Sequence, residues 1–428
     1  MSAQQFGFGP CAEMVNIAKG LRRRENFNDA NIFFWNSFEL RAIYDRSQQL
    51  GTVLDNKRGQ SLFEYMDHTN QQFDAIISSY DAEPIFYGWY HDTPCFLYDG
   101  MFSFWDVTKI EKDIRAMIRD FIDLKEQRDS DGLFRLYQEL TKENHHYTIF
   151  IAYFLSNHNF ARKGDNDSQI LSTFKELSGK TDIVGAIVPQ KEEGVSKDHV
   201  FVSLSASLVP TVKTRDSVNY AKNVIRYVVD ISKDHPMVPF RISINPKLFQ
   251  ILAEEGFLSG LPTNVEVMKS LSYEQNQDYI KRAKVLMISP GYSTLHEAAN
   301  YGVPTVFLPE QNGGQPVGYR KLIDGNFPQT PNLTLVQNMD YRIPNKGFDD
   351  FPMQDLYSAS HEIFNSDAFQ EPRNGVKAHI NELLNNPHLI ENLGSSQRNA
   401  IKQIIGGFNG VEVITRKISN SLQRQWNK

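Results

Sequence analysis

From residue 199 onward the chain alternates between short apolar runs and longer stretches in which apolar residues recur every three or four positions. Residues 199–204, 240–244, 265–268, 285–288 and 305–308 read as strands. Residues 217–231, 273–282 and 294–301 read as helices, as does a segment from Asn245-Pro246 to about Glu255. Short runs without polar alternation suit strands covered on both faces, and strand-helix alternation suits a parallel, doubly wound sheet. Residues 311–345 read mostly as loop, followed by a helical tail whose last amphipathic stretch is 411–426.

The first half is less regular. Residues 32–35, 75–78, 95–98, 148–153 and 182–188 have strand character, and 59–72 has helical character. Over 107–146, Ile110, Ile114, Met117, Ile118, Phe121 and Leu124 fall on one side, which predicts an amphipathic helix pair. Near the start, Met14, Ile17, Ala18 and Leu21 share a helical face that follows Gly7 and Gly9. A glycine turn opening a helix lets backbone N–H groups approach a ligand, and it is also simply a tight turn. In a doubly wound domain such a turn follows a buried strand. Here only the polar residues 1–5 precede it, so the first strand is expected to be missing.

A chain of 428 residues exceeds one ordinary core. The polar stretch 189–198, with Pro and Gly, has linker composition. The expected division is a first domain over 1–190, a linker over 191–198, a second domain over 199–410 and a final helix over 411–428. An apolar share of 40% fits a globular protein, and a net charge of -6 argues against a dedicated nucleic-acid binder. The basic run Arg22-Arg23-Arg24 reads as a solvated helix end. Two cysteines build no disulfide framework, and no spacing of Cys and His suggests a metal, so a reducing cytoplasm is expected. No apolar run approaches the roughly 20 residues that span a bilayer.

Candidate chemistry concentrates in residues 284–315. A strand delivers the chain to Ser289-Pro290-Gly291, and a helix starts near Ser293 or Thr294. Helix N-termini suit phosphate. Glu297 is expected in the first turn, where a carboxylate can accept from vicinal hydroxyls. Thr294-x-x-Glu297 is equally a capping box. His296-Glu297 is no zinc motif, because position 300 is Asn. Gln311 and Gln315 supply amides for sugar hydroxyls. Arg215, expected in the loop after residue 204, is a candidate phosphate partner. In the first half, Asp81, His91 and Asp99 are expected at strand ends. Asp99, Glu13 and His91 are the candidate bases, with Asp99 first because it follows a strand directly.

The order Gly291, Thr294, Glu297, Gly302, Pro304, Pro309, Gln311, Gln315 is rarer than a capping box. It resembles the donor motif of GT-B glycosyltransferases related to the lipid II-forming N-acetylglucosaminyltransferase and UDP-glucuronosyltransferases. Residues 7–21 and 74–105 more loosely resemble cytosylglucuronate synthase-like proteins. The resemblance implies an α/β GT-B fold, two Rossmann-like doubly wound domains facing a cleft, with the final helix crossing back to the first. It implies Ser293 and Thr294 at the diphosphate, Glu297 at the ribose, Gln311 and Gln315 at the transferred sugar, and the backbone near Met268 and Lys269 at a nucleobase, commonly uracil. The implied activity is inverting transfer from a nucleoside diphosphate sugar to a small-molecule or glycan acceptor. It needs no cofactor and no bound metal. A nucleotide-sugar 2-epimerase and a catalytically dead sugar-nucleotide-binding module are the alternatives. Two departures stand out. Residues 1–30 hold no histidine where relatives carry a catalytic base, and Asn312-Gly313-Gly314 stands where relatives often have an acid.

Overall fold

A computed structural model describes residues 1–3, 9–35, 50–54, 60–69, 72–102, 107–164, 166–204, 212–269, 271–339 and 353–426. Two compact units result, one of Met1–Val188 with Ile405–Lys428 and one of Pro189–Ile404. Residues 189–198 thus belong to the second unit. Lys197 donates to the Gly302 carbonyl at 2.6 Å, and Asn300 donates to that of Pro189 at 2.9 Å.

The first unit holds β1 (Ser2–Ala3), β2 (Phe33–Phe34), β3 (Thr52–Val53), β4 (Ile76–Ser79), β5 (Cys95–Asp99), β6 (His158–Arg162) and β7 (Thr181–Val184). Its five-stranded sheet runs β1-β4-β5-β6-β7, and every pairing is parallel. The expectation of a missing first strand is therefore corrected. Ser2 and Ala3 pair with Ser78 and Ser79. Two small residues carry no periodic signal, so the strand could not be seen in the sequence. β2 and β3 pair in parallel with each other. The Met1 amino group donates to Phe33 at 2.6 Å, and Trp35 N–H donates to Met1 at 2.9 Å. The chain therefore winds one way from β1 through β2 and β3 and the other way through β4 to β7. The carboxyl ends of β1 and β4 form the switch point, where doubly wound sheets bind ligands.

The helices that matter here are α1 (Gly9–Arg22), α2 (Glu83–Tyr90), α3 (Val107–Glu126) and α4 (Ser130–Leu155). Residues 148–153, expected as a strand, are the end of α4. All six are buried, so the run shows no helical period, and length alone separates the two readings. The strand is β6, whose sequence HNFAR looks polar. α1 is buried along most of its length and packs on the C-terminal helix Gly410–Trp426. A Cβ on Gly20 would lie 2.5 Å from Val411, so only glycine permits this approach.

The second unit holds β8 (His199–Leu204), β9 (Phe240–Ile244), β10 (Val265–Lys269), β11 (Ala283–Ile288) and β12 (Thr305–Phe307) in the parallel order β10-β9-β8-β11-β12. Its switch point lies at β8 and β11. Apolar residues of the strands and of α5 (Thr214–Ser232) fill one core. Then follow α6 (Tyr273–Arg282), α7 (Tyr292–Tyr301), α8 (Gly314–Asp324) and α9 (Leu335–Asn338). The expected loop over 311–345 therefore carries two helices, with residues 340–345 outside the described ones. Gly and Pro in the first turn of α8 had masked it.

Candidate active site

β11 ends at Ile288, and Ser289 is locked behind it. Its hydroxyl donates to the Pro309 carbonyl at 2.8 Å and meets Tyr220 Oη at 3.1 Å. Gly291 is the N-cap of α7 and offers no side chain to that helix end. Ser293 and Thr294 follow, half-buried. Among the described residues no side chain caps the terminus, which leaves its leading N–H groups open to a ligand.

This geometry replaces the capping-box reading of Thr294 and Glu297. The capping box belongs to α6 instead, between Ser272 and Gln275. Glu297 also sits one turn deeper than expected, in the second turn of α7, and is 5% exposed. Tyr273 Oη donates to its Oε1 at 3.2 Å. Burial pushes its carboxyl up to about 7, against the opposing effect of Gln277 and Tyr273. At the far end of α7, Gly302 has φ 66°, and the N–H groups of Gly302 and Val303 satisfy Ala299 and Ala298. That left-handed cap turns the chain into β12.

The loop after β12 returns to the same place. Gln315 Oε1 accepts from the N–H groups of Gln311 at 2.6 Å and Asn312 at 3.3 Å. Its Nε2 lies 3.9 Å from where a Cβ on Gly291 would stand. Gln311 is 3% exposed, and its Nε2 is buried without a partner. A buried donor left open costs about 1–3 kcal/mol, which a ligand oxygen recovers. Glu310, fully buried, accepts from Leu335 N–H at the start of α9, and its other oxygen has no partner. Burial raises its carboxyl to about 7. Sequence reasoning passed over Glu310, although it is an acid within this loop.

Met268 and Lys269 end β10, with Met268 buried and Lys269 exposed. Arg215 stands in the first turn of α5 rather than in a loop, and is exposed. Every donor-side candidate therefore lies on an element that ends or begins at the carboxyl end of this sheet.

In the first unit the candidates separate. Glu13 on α1 and Asp99 at the end of β5 are both buried. Tyr98 Oη donates to Glu13 Oε1 at 3.3 Å. Asp99 accepts from Met101 N–H at 2.6 Å and from Tyr153 Oη. A Cβ on Gly100 would lie 3.2 Å from Tyr98 Oη and 3.3 Å from Arg162 Nη1, so Arg162 of β6 joins the group. Tyr80, at the end of β4, has φ 60°, a conformation that costs a non-glycine residue about 1–3 kcal/mol. Its phenol is pushed well up by burial and by Asp99. Tyr80, Tyr98, Tyr153 and Arg162 had no local motif to announce them. His91 is corrected out of this group. It is the exposed C-cap of α2, its ring tilted against that of Tyr87 with centroids 4.4 Å apart. Because α2 runs back along the sheet to reach the start of β5, His91 lies at the opposite end from Asp99. Asp81 is half-buried just beyond β4. Gly9 is the first residue of α1, and Gly7 lies outside the described residues.

Among the described residues no group of three or more His, Cys, Asp or Glu is placed to hold a metal ion, and no helix is long and apolar enough to cross a membrane. Both cysteines are buried thiols.

No protein-family model matches the sequence. A curated relative, an uncharacterised glycosyltransferase of Methanosarcina acetivorans, is 23% identical over 166 residues, which are 39% of this chain and 37% of that protein. The chain thus matches little more than a third of that relative's length. Solved structures match nearly end to end. A putative UDP-N-acetylglucosamine 2-epimerase from Listeria monocytogenes is 11% identical with a TM-score of 0.56, covering 99% of this chain and 96% of that one. The UDP-GlcNAc 2-epimerase from Neisseria meningitidis, bound to UDP-GlcNAc, is 11% identical with a TM-score of 0.53, covering 99% and 98%. A spinosyn rhamnosyltransferase complexed with spinosyn aglycone is 11% identical with a TM-score of 0.51, covering 98% and 99%. At these identities the likeness establishes the fold: the chain has the GT-B fold, two Rossmann-like α/β domains, that these epimerases share with glycosyltransferases.

Proposed function

We propose that this protein transfers a sugar from a nucleoside diphosphate donor, with uridine as the nucleoside, to a small-molecule or glycan acceptor, with inversion at the anomeric carbon. The observation that carries the proposal is the uncapped N-terminus of α7 with buried Glu297 one turn behind it. In this reading the leading N–H groups of α7, with the Ser293 and Thr294 hydroxyls, take the diphosphate and stabilise it as it departs, a preorganised electrostatic role. Glu297 accepts from the ribose hydroxyls. Gln311 Nε2 donates to the transferred sugar, with Gln315 holding the loop. The backbone at Met268 and Lys269 meets the base, and Arg215 adds charge near the phosphates. The acceptor binds at the switch point of the first unit, where the Glu13 and Asp99 cluster takes the proton of the attacking hydroxyl. Cysteines kept as buried thiols fit a reducing cytoplasm as its place of work.

A donor present at 100 times its dissociation constant stabilises the fold by about 2.7 kcal/mol. A thermal-shift screen over UDP-, GDP- and dTDP-sugars is expected to raise the melting temperature with one nucleotide class. No shift with any of them sinks the donor site. The likeness to 2-epimerases favours one second reading. Conversion of the donor at C2 of its sugar with no acceptor present would establish that reading. A donor left intact until an acceptor is added supports transfer.

A further inference from the structure

Buried carboxylates need help to stay charged, and Glu297 has that help from a single neighbouring helix. Tyr273 opens α6, and Gln277 stands one turn later on the same face. Tyr273 Oη donates to Glu297 Oε1 at 3.2 Å. Gln277 is 7% exposed, and its Oε1 accepts from Tyr301 Oη at 3.3 Å. That bond turns the amide's NH2 away from Tyr301. The Nε2 is buried and closes no hydrogen bond of its own, yet Gln277 helps hold Glu297 in its charged form. Two side chains of α6 therefore face one carboxylate of α7, with Tyr301 fixing the second of them from behind.

We infer that Tyr273 and Gln277 are positioning residues, which set the orientation and charge of Glu297 so that it accepts hydrogen bonds from the vicinal hydroxyls of a nucleotide ribose. The inference rests on the donor-site reading above. A ribose diol donates two hydrogen bonds, and a carboxylate accepts both more strongly than a carboxylic acid, which keeps a proton on one oxygen. Burial opposes the charged form and the two neighbours favour it. Glu297 therefore gains ribose affinity as pH rises through about 7. Removing the phenol hydroxyl removes a bond made to the charged form, which moves that rise to higher pH.

The test measures, by calorimetry from pH 5.5 to 9, the affinity of the full chain for UDP and for 2′,3′-dideoxy-UDP. The ratio of the two isolates the diol, because both nucleotides carry the same titrating phosphates. For the native chain the ratio is expected to climb with a midpoint near pH 7. In Tyr273→Phe the midpoint should move up by about one pH unit, so that the ratio falls about fivefold at pH 7 and less than twofold at pH 9. Recovery at high pH is what a merely structural loss would not show. Gln277→Leu should shift the midpoint in the same direction by at least as much, and it keeps the test open if the first variant folds poorly. Superimposable native and variant curves overturn the inference while leaving the donor site standing. A variant ratio lowered equally at every pH also overturns it. A native ratio of one at every pH removes Glu297 from the ribose, and the inference falls with it.

Discussion

The carboxyl ends of the two sheets are built from opposite materials. In the second unit the end of β11 meets an uncapped helix, a turn without a side chain at Gly291, and amides with capacity to spare at Gln311. In the first unit the ends of β4, β5 and β6 carry Tyr80, Asp99 and Arg162, with Glu13 beside them, in a buried network of carboxylates, phenols and a guanidinium. One end presents unspent backbone dipole to an anion. The other stores side-chain charge that is already mutually bonded. In the proposed function, grip on a diphosphate therefore rests on backbone and few side chains, whereas the proposed acceptor end holds its geometry through interdependent side chains. Loss of one member should cost fold in the first unit and affinity in the second unit.

The largest effect expected from this contrast is on the first unit. Asp99→Ala removes a fully buried carboxylate and the hydrogen bonds that it accepts from Tyr153 Oη and the Met101 N–H. Removing one partner of a buried charged network costs about 3–5 kcal/mol. Urea unfolding should show a loss of about 4 kcal/mol, while the affinity of the remaining folded protein for UDP stays within twofold of native. A stable variant would mean that the cluster is not a structural network, and the contrast would fail.

Next comes Glu297→Ala on the second unit. Two hydrogen bonds to a charged acceptor are lost, so the affinity for UDP should fall about 100-fold. The fold should survive, because burial already acts against this carboxylate. Calorimetry and unfolding on the same sample decide it. Unchanged affinity with a lower melting point would make the second unit behave like the first.

A smaller effect sharpens the comparison within the donor loop. Glu310 is buried, with its folded carboxyl raised to about 7 from an ordinary 4.5. A raised acid stabilises the fold below its unfolded pKa, and that stability is lost as pH climbs through the folded value. Native stability should therefore decline between about pH 4.5 and 7. Glu310→Gln keeps an oxygen for the Leu335 N–H and cannot ionise. It should match the native protein at pH 5 and exceed it by about 2 kcal/mol at pH 8. Parallel stability curves for the two proteins would show that Glu310 carries no such burden.

The same contrast explains what the sequence disclosed. The donor end is local: Gly291 to Gln315 spans one strand, one helix and one loop, so its order is visible as a motif. All five strands of that unit overlap the runs that periodicity marks. The proposed acceptor end joins α1, β4, β5, α4 and β6, which are separated by up to about 150 positions, and no motif spans such distances. β4 and β5 overlap marked runs, but the neighbouring elements are ones that pattern conceals. Ser2–Ala3 is too short to show a period, β6 reads as polar, and the apolar end of α4 imitates a strand because it is buried on every side. Even on the donor side, Tyr273 escaped notice, because a tyrosine opening a helix has nothing in sequence to tie it to a glutamate 24 positions on.

His91 provides the smallest effect and the most pointed check of where the acceptor chemistry lies. Residues 1–30 lack the histidine that the donor motif's relatives carry, which makes the exposed His91 tempting as a substitute base. Its position argues otherwise. α2 carries the chain from the end of β4 back to the start of β5, and His91 caps that helix where β5 begins, away from Glu13 and Asp99. Its ring meets Tyr87 at a tilt and Tyr90 edge-on, with centroids 4.4 and 5.0 Å away. His91→Ala should therefore cost no more than about 0.5 kcal/mol, the range of ordinary surface changes, and leave the rate of sugar transfer from UDP-sugar within twofold of native. A folded His91→Ala protein with a rate lowered 100-fold or more would place the base at the other end of the sheet. It would strip Glu13 and Asp99 of any part in the reaction and leave their cluster as scaffolding alone.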